Sequence, residues 1–128
     1  MMVEILLAAA IANGVPASKL QAICWVESRH NPRAVARNDG GSPSYGACQV
    51  KLATARHMGF KGTPSQLMDP RTNASIAARY LNYQIKRYGS TDKAVSAYNA
   101  GRYIKANAGY VRKVRDAERR FKNEVACR

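Results

Sequence analysis

The chain has 128 residues, 46% of them hydrophobic, which fits a single domain over residues 1–128 with one packed core and excludes a second domain. Its 21 Lys and Arg against 8 Asp and Glu give a net charge of +13, which favours polyanionic partners without distinguishing nucleic acid, anionic lipid and wall polymer. Three cysteines and two histidines without metal-ligand spacing exclude a disulfide framework and argue against zinc, so we expect no metal and no cofactor.

The first helix is predicted over about residues 3–12 and should end at Asn13 and Gly14. The residues before its apolar segment, MMVE, lack the positive charge with which a secretory signal begins. The apolar segment itself is too short to span a bilayer as a helix. We therefore expect neither an export signal nor a transmembrane segment.

A second helix should begin near Pro16, where a missing N–H costs nothing, and end at the Asn-Pro pair at 31–32. It carries a stripe with the i, i+3, i+4, i+7 spacing of one buried face. The stripe consists of Leu20, Ile23, Cys24 and Glu27.

The three cysteines, Cys24, Cys48 and Cys127, are predicted to be small buried or terminal thiols. A bond between Cys24 and Cys48 stays open if the fold brings the two side chains together.

The rest of the chain is also predicted to be helical, with Gly and Pro at the boundaries. Residues 38–45 (NDGGSPSY) are rich in turn formers and predict a loop without a strand. A short helix is predicted over residues 52–58, and a capping box at residues 63–66 predicts the start of another. A long helix should cover residues 70–88 and end at Gly89. The next helix should begin at Ser90 or Thr91 and end at residues 99–101, and the last should cover residues 110–121. No segment shows sustained strand alternation, so we expect a mainly α fold with little or no β-sheet.

Glu27 is the most informative residue, because it continues an apolar stripe where a core residue is expected. Burial of the carboxylate and its place in the last turn of a helix, at the negative end of the dipole, both raise its pKa. A carboxylic acid that stays protonated near neutral pH can donate a proton to a glycosidic oxygen. The alternative is that Glu27 leans out of the stripe and pairs with Arg29 or Arg33.

Several motifs, in this order, resemble those of lytic transglycosylases of the soluble-lytic-transglycosylase (SLT) and goose-type lysozyme superfamily. Residues 27–32 (ESRHNP) resemble ES-x-x-NP, residues 46–50 (GACQV) resemble G-L-M-Q-[IV], and residues 97–101 are identical to AYNAG. Residues 67–73 match L-x-DP-x-x-N and residues 110–114 resemble YV-x-x-V. Motifs in register along nearly the whole chain are far more specific than any one of them alone.

The resemblance implies a single-domain lysozyme-like fold and an enzyme that cuts the glycan strand of peptidoglycan between N-acetylmuramic acid and N-acetylglucosamine. Glu27 matches the family's single catalytic Glu, which protonates the leaving oxygen and then deprotonates the 6-hydroxyl of muramic acid to give a 1,6-anhydro product. The 2-acetamido carbonyl assists, so no second carboxylate is needed. Asp39, the other acid nearby in the chain, is expected to be solvated and to form a turn.

The resemblance also implies four substrate-binding residues. Gln49 matches an amide that contacts the acetamido group, and Tyr98 matches an aromatic residue that lines the cleft and orients the catalytic Glu through its hydroxyl. Asn99 matches a cleft-side or turn-fixing amide, with helix capping as an equal alternative. Ser28 is either a hydrogen-bonding residue of the cleft or a structural residue at the helix end.

Two positions depart from the family pattern. Ala47 and Cys48 are smaller than the usual Leu and Met, so the wall behind Gln49 must be repacked. Ala36 stands where the family often has Ser, so one polar contact to the sugar is missing or is supplied by Asn38, as in some secretion-associated members.

Two other functions stay open. A lysozyme that uses water to cut the same bond would use the same Glu, so the sequence separates hydrolysis from transglycosylation poorly. A nucleic-acid-binding helical domain would explain the basic run in residues 112–122, but no DNA-binding motif accompanies this run, so no specific nucleic acid is expected.

The partners we expect are peptidoglycan glycan strands and, through the basic C-terminal half, anionic envelope polymers. We expect a monomer. A short, bacteriolytic muramidase without an export signal suits a bacteriophage endolysin, made in the host cytoplasm and released through a holin to reach the wall. Residues 94–114 also resemble enzymes that open the wall for secretion machines.

Overall fold

The computed structural model describes the backbone of residues 1–126 and the side chains of residues 1–123. The elements are α1 (Met2–Asn13), α2 (Ala17–Ser28), β1 (Val35–Asp39), β2 (Ser42–Tyr45), β3 (Val50–Lys51), α3 (Leu52–His57), α4 (Pro64–Leu67), α5 (Pro70–Tyr88), α6 (Thr91–Ala100), a 3₁₀ helix (Lys105–Asn107) and α7 (Ala108–Ala126). The prediction of a mainly α fold is confirmed. Within the described residues, no helix combines the length and apolar composition that crossing a membrane requires.

Most helix boundaries follow local sequence signals. Thr63 and Gln66 form the predicted capping box of α4, in which each side chain binds the backbone N–H of the other residue. Gly14 and Gly89 end α1 and α5 with φ of 65° and 64°, a left-handed conformation that glycine adopts without strain. The hydroxyl of Ser90 caps α6, also as predicted.

The prediction that residues 38–45 contain no strand is wrong. The chain forms a three-stranded antiparallel sheet in the order β1-β2-β3. Gly40 and Gly41, with φ of 64° and 99°, make the hairpin turn between β1 and β2. The pairing shifts between Ala36 and Asp39, so β1 carries one extra residue and lacks the regular alternation that marks a strand in a sequence.

Two helix ends also differ from the prediction. α2 ends at Ser28, before the Asn-Pro pair, because Arg29 and His30 adopt left-handed φ of 57° and 61°. A ring nitrogen of His30 lies 2.8 Å from the Gln21 carbonyl, which holds this turn against α2. α7 begins two residues before Tyr110, after a 3₁₀ turn that the sequence did not predict.

The helices pack in pairs around one core, with α2 against α7, α1 against α5 and α5 against α6. Leu20, Ile23 and Cys24 of the predicted stripe are fully buried. A buried ion pair of 2.8 Å between Lys19 Nζ and Glu118 Oε1 also joins α2 to α7. These contacts hold α2, the helix that carries Glu27, against α7.

Cys24 and Cys48 form a disulfide, so the prediction that both are thiols is wrong and the alternative left open is observed. The pairing arises because Cys24 belongs to the buried stripe of α2 and Cys48 is buried in the turn before β3. The bond therefore joins the helix that carries Glu27 to the turn that carries Gln49. Cys127 lies outside the described residues.

Replacing Cys24 and Cys48 by Ala should lower the free energy of unfolding by about 3 kcal/mol, because the bond closes a loop with a sequence separation of 24 and restricts the unfolded chain. Denaturant titration with and without a thiol reductant measures this effect. The reductant should lower the unfolding midpoint of the native protein and leave the double variant unchanged. An unchanged midpoint for the reduced native protein would contradict the prediction.

Candidate active site

Glu27, in the last turn of α2, lies at the wall of a cleft. The other walls come from the sheet, α3, α5 and α6. Of the residues that the sequence predicted for the site, the cleft is lined by Glu27, Gln49, Tyr98 and Asn99, and Ser28 is not part of its lining.

The carboxyl of Glu27 is half-buried, and its Oε2 accepts a hydrogen bond of 2.7 Å from the Tyr110 hydroxyl. Burial is the largest influence on the pKa of Glu27 and raises it, while the Tyr110 hydroxyl lowers it. The charge of Asp39 raises this pKa further, and the side chain of Asn99 lowers it. The net result is a pKa above the ordinary value of 4.5, as the apolar stripe predicted.

Glu27 does not adopt the alternative arrangement, in which it leans out and pairs with an arginine. Among the described residues, no ion pair joins its carboxyl to Arg29 or Arg33. The Arg29 guanidinium lies instead over the ring of Trp25, 5.1 Å from the ring centroid. Neither of these two arginines therefore holds Glu27 ionised.

The residue that orients Glu27 is Tyr110, whereas the resemblance implied Tyr98. The Tyr98 hydroxyl donates a 2.8 Å hydrogen bond to the Cys48 carbonyl, because its ring is buried beneath the turn before β3. Burial raises the pKa of both tyrosines well above 10.0, and the charge of Glu27 raises both further, so both hydroxyls are donors. Tyr110 stands in the YV-x-x-V motif, which gives no indication that its hydroxyl points at Glu27.

Gln49 lies in the cleft on a strained turn, with φ of 51°. Its Nε2 donates hydrogen bonds to the carbonyls of Ala34 at 3.2 Å and Gly46 at 2.9 Å. These two bonds fix the amide plane. Within the described residues, the side-chain carbonyl of Gln49 makes no further hydrogen bond, so it can accept one from a ligand.

A buried asparagine holds this turn in place. The Asn73 amide donates to the carbonyls of Tyr45 at 2.8 Å and Leu67 at 3.0 Å, and its oxygen accepts from the Cys48 N–H at 3.0 Å. Gly46 lies directly against it, since a Cβ at this position would stand 2.5 Å from Asn73 Nδ2. The L-x-DP-x-x-N match of the sequence thus ends in a residue that positions Gln49 rather than one that reaches the cleft.

Ser28 is not part of the cleft lining and supports the site through internal hydrogen bonds. Its hydroxyl donates to the Ala47 carbonyl at 2.6 Å and accepts from the Asn31 N–H at 3.0 Å. Both bonds are internal, so Ser28 ties the end of α2 to the turn that carries Gln49. This arrangement matches the structural role that the sequence left open for Ser28.

Asn99 lies in the cleft, at the end of α6 next to Glu27. Its Oδ1 accepts a 3.1 Å hydrogen bond from Asn107 Nδ2, and its side chain is near enough to lower the pKa of Glu27. Asn99 therefore lies on the cleft side of α6, and its side chain also contacts the segment that contains Asn107.

Asp39 is exposed to solvent, as the sequence predicted, whereas Asn38 is not part of the cleft lining. Asp39 lines the cleft, and its Oδ2 accepts a 2.7 Å hydrogen bond from the Ser44 hydroxyl. Asn38 forms the turn, because its Oδ1 accepts from the Gly41 N–H at 3.1 Å. The Gly-Gly hairpin is the signal that could have revealed both placements. In the described part of the chain, no three His, Cys, Asp or Glu side chains gather where they could hold a metal ion.

The transglycosylase SLT domain family matches residues 4–121. The chain belongs to this family. It is therefore a lytic transglycosylase of the SLT type, as its motifs predicted.

Relatives and solved structures of the family agree with this assignment. Protein IpgF of Shigella flexneri is 32% identical over 109 residues, which cover 84% of this chain and 72% of that protein. The soluble lytic murein transglycosylase of Escherichia coli (strain K12) is 37% identical over 95 residues, 68% of this chain and 14% of that protein. The 70-kDa soluble lytic transglycosylase in complex with bulgecin A superimposes with a TM-score of 0.81 at 23% identity, over 95% of this chain and 24% of that one. This likeness confirms the lysozyme-like fold.

The structure also accounts for the smaller residues in the family's G-L-M-Q position. Ala47 and Cys48 are fully buried, and the space behind Gln49 contains the disulfide between Cys48 and Cys24. The small Cys48 side chain is thus linked covalently to α2.

Proposed function

We propose that this chain cleaves the glycan strand of peptidoglycan between N-acetylmuramic acid and N-acetylglucosamine, leaving a 1,6-anhydro end, with Glu27 as both acid and base. The observation that carries this proposal is the half-buried carboxyl of Glu27 in the cleft, with its raised pKa and its hydrogen bond from Tyr110. We further propose that Gln49, Tyr98 and Asn99, which line the same cleft, contact the sugars.

In the first step, the carboxyl proton of Glu27 passes to the glycosidic oxygen. The bond from this oxygen to C1 of the muramic acid breaks, the electron pair leaves with the oxygen, and the N-acetylglucosamine departs as an alcohol. The acetamido carbonyl oxygen of the muramic acid closes onto C1 and takes up the positive charge. A raised pKa serves this step, because it keeps the proton on Glu27 until the leaving oxygen needs it.

In the second step, the Glu27 carboxylate accepts the proton of the muramic acid 6-hydroxyl. The oxygen of that hydroxyl attacks C1, the bond from C1 to the acetamido oxygen breaks, and the 1,6-anhydro ring is formed. Glu27 ends the cycle protonated. Throughout, the Tyr110 hydroxyl holds Oε2, which leaves Oε1 to carry the proton toward the substrate. The fixed amide of Gln49 accepts the acetamido N–H.

Tyr110→Phe should move the alkaline limb of the activity profile to higher pH. Activity requires protonated Glu27 and falls as pH rises through its pKa, and loss of the hydroxyl removes a group that lowers this pKa. The rate at the optimum should also fall, because the carboxyl is no longer oriented. Rates of clearing of purified sacculi across pH measure both effects. Tyr98→Phe is the matched control, since the Tyr98 hydroxyl bonds to Cys48, and its alkaline limb should stay in place. An alkaline limb that Tyr110→Phe leaves unmoved would contradict the role of Tyr110.

The alternative function, hydrolysis of the same bond, differs in its product. Mass spectrometry of muropeptides released from sacculi should find species that lack one water relative to the hydrolysed product. Reducing ends as the main product would replace the transglycosylase proposal with a muramidase that uses water.

We also propose that the basic face of α7 holds the enzyme on anionic envelope polymers. Arg112, Lys113 and Arg119 are exposed on this helix. Binding of the Glu27→Gln protein to sacculi should weaken as salt rises, and charge reversal at Arg112 and Lys113 should weaken it further. Binding that neither salt nor charge reversal changes would exclude this contribution.

A further inference from the structure

Asp39 stands on the cleft face of the sheet because of an irregularity in β1. The pairing places Ala36 opposite Ser44 and Asp39 opposite Ser42. Ser42 and Ser44 are two residues apart and so share one face of the sheet, which means that Asp39 shares this face as well. In a regular strand, a residue three positions after Ala36 would point to the opposite face. The extra residue in β1 therefore aims Asp39 into the cleft, a role that bulges often have beside active sites.

The carboxylate of Asp39 is held in this orientation. The hydroxyl of Ser44, which is fully buried, donates a 2.7 Å hydrogen bond to Oδ2, and Lys51 Nζ donates to the backbone carbonyl of Asp39. Both supporting residues also line the cleft. Among the described residues, none donates a hydrogen bond to Oδ1, so one carboxylate oxygen is available to a ligand.

Asp39 and Glu27 influence each other across the cleft. The charge of Asp39 raises the pKa of Glu27, in addition to the larger effect of burial. The groups that face Glu27 from the neighbouring elements are Asp39, Tyr98, Asn99 and Tyr110, and Lys51 is the cation of the lining beside Asp39. Two carboxyls in one site whose surroundings differ can take different roles in the same reaction.

We propose that Asp39 is a second functional carboxylate of this site, which contacts the muramic acid and stabilises the positive charge that forms when its glycosidic bond breaks. The inference rests on the function proposed above. When the C1–oxygen bond breaks, positive charge is shared between C1 and the ring oxygen, and it moves to the acetamido group as the carbonyl closes onto C1. Asp39 forms no bond to carbon and gains no proton. It acts through its charge, which is preorganised by Ser44.

Asp39→Asn tests the proposal, because the amide keeps the size of the side chain and an oxygen that can accept from Ser44 while it removes the charge. On soluble glycan strands, kcat should fall by at least about tenfold with little change in KM, since the lost interaction exists only in the transition state. The alkaline limb of the kcat profile should also move to lower pH, because the pKa of Glu27 falls. Asp116→Asn, an equal change of charge on the exposed face of α7, should keep kcat and the limb within about twofold of their native values.

Ser44→Ala separates charge from structural support, because it removes the anchor and keeps the carboxylate. Its kcat should fall less than that of Asp39→Asn. An unchanged kcat in Asp39→Asn, or an equal loss in Ser44→Ala accompanied by a lower Tm in both variants, would overturn the inference. An active Asp39→Asn beside an inactive Glu27→Gln would overturn this inference alone, whereas an active Glu27→Gln would overturn the proposed function itself.

Discussion

Glu27→Gln should clear purified sacculi at least about a hundredfold more slowly than the native protein, the usual scale for loss of a general acid. The amide has nearly the shape of the carboxyl and can still accept from the Tyr110 hydroxyl, but it has no proton to give to the leaving oxygen. Glu4→Gln, at the exposed start of α1, removes an equal charge far from the cleft and should retain native activity. Turbidity measurements on all three proteins at matched concentration decide the comparison.

The same substitution should leave the protein at least as stable as the native one near neutral pH. The folded-state pKa of Glu27 lies above its ordinary value of 4.5, so the folded state binds the proton more tightly than the unfolded state. The resulting stability is present below the unfolded pKa and is lost as pH rises through the folded pKa. Above that range, burial of the carboxylate opposes folding, and Gln removes this cost. An unfolded variant would contradict this stability prediction, and a fully active one would contradict the role of Glu27.

Gly46→Ala should lower the free energy of unfolding by about 3 kcal/mol and reduce activity strongly. Gly46 has φ of 78°, which costs other residues about 1 kcal/mol. Its new Cβ would also lie 2.5 Å from Asn73 Nδ2 and would displace the amide that holds the turn at three points, and these three hydrogen bonds together contribute about 2 kcal/mol. Thermal unfolding should show a Tm lower by roughly 10 °C.

Gly14→Ala is the control for backbone strain alone. Gly14 has φ of 65°, and a Cβ added there would meet no neighbouring atom within 4 Å, so its loss of stability should be about 1 kcal/mol. In a double-mutant cycle, Asn73→Ala should cost less in the Gly46→Ala background than in the native one, because the contact is already broken. Equal costs for Gly46→Ala and Gly14→Ala would show that the contact with Asn73 does not fix the turn.

The sequence predicted the helices well because their ends depend on neighbouring residues. A capping box at residues 63–66, an Asp-Pro start at 69–70 and a glycine at 89 each act within a turn or two. The sheet and the disulfide depend on contacts between distant segments. The strand β1 is irregular, so its residues show no alternation, and the Cys24–Cys48 pair forms only after α2 and the turn before β3 pack together. Neither the sheet nor the disulfide can therefore be predicted from a short segment of the sequence.

The residues of the site also fall into two groups, those that a local sequence signal reveals and those that only the packing of distant segments places. Glu27 could be found because an acid in an apolar stripe is a local anomaly, and Gln49 because it stands in a recognisable motif. The hydroxyl that reaches Glu27 comes from a residue 83 positions away, so no pattern in the sequence separates Tyr110 from Tyr98 as its source. Packing alone decides which tyrosine bonds to Cys48 and which to Glu27.

A direct titration of Glu27 tests the centre of this account. Carbon-13 NMR of the side-chain carboxyl, assigned by comparison with Glu27→Gln, reports its midpoint in the folded protein without any assay of function. We predict a midpoint clearly above 4.5, because burial of the carboxyl raises its pKa more than the hydrogen bond from Tyr110 lowers it. A midpoint at or below 4.5 would mean that this side chain is ionised whenever the enzyme meets its substrate, and it would remove the acid from the reaction.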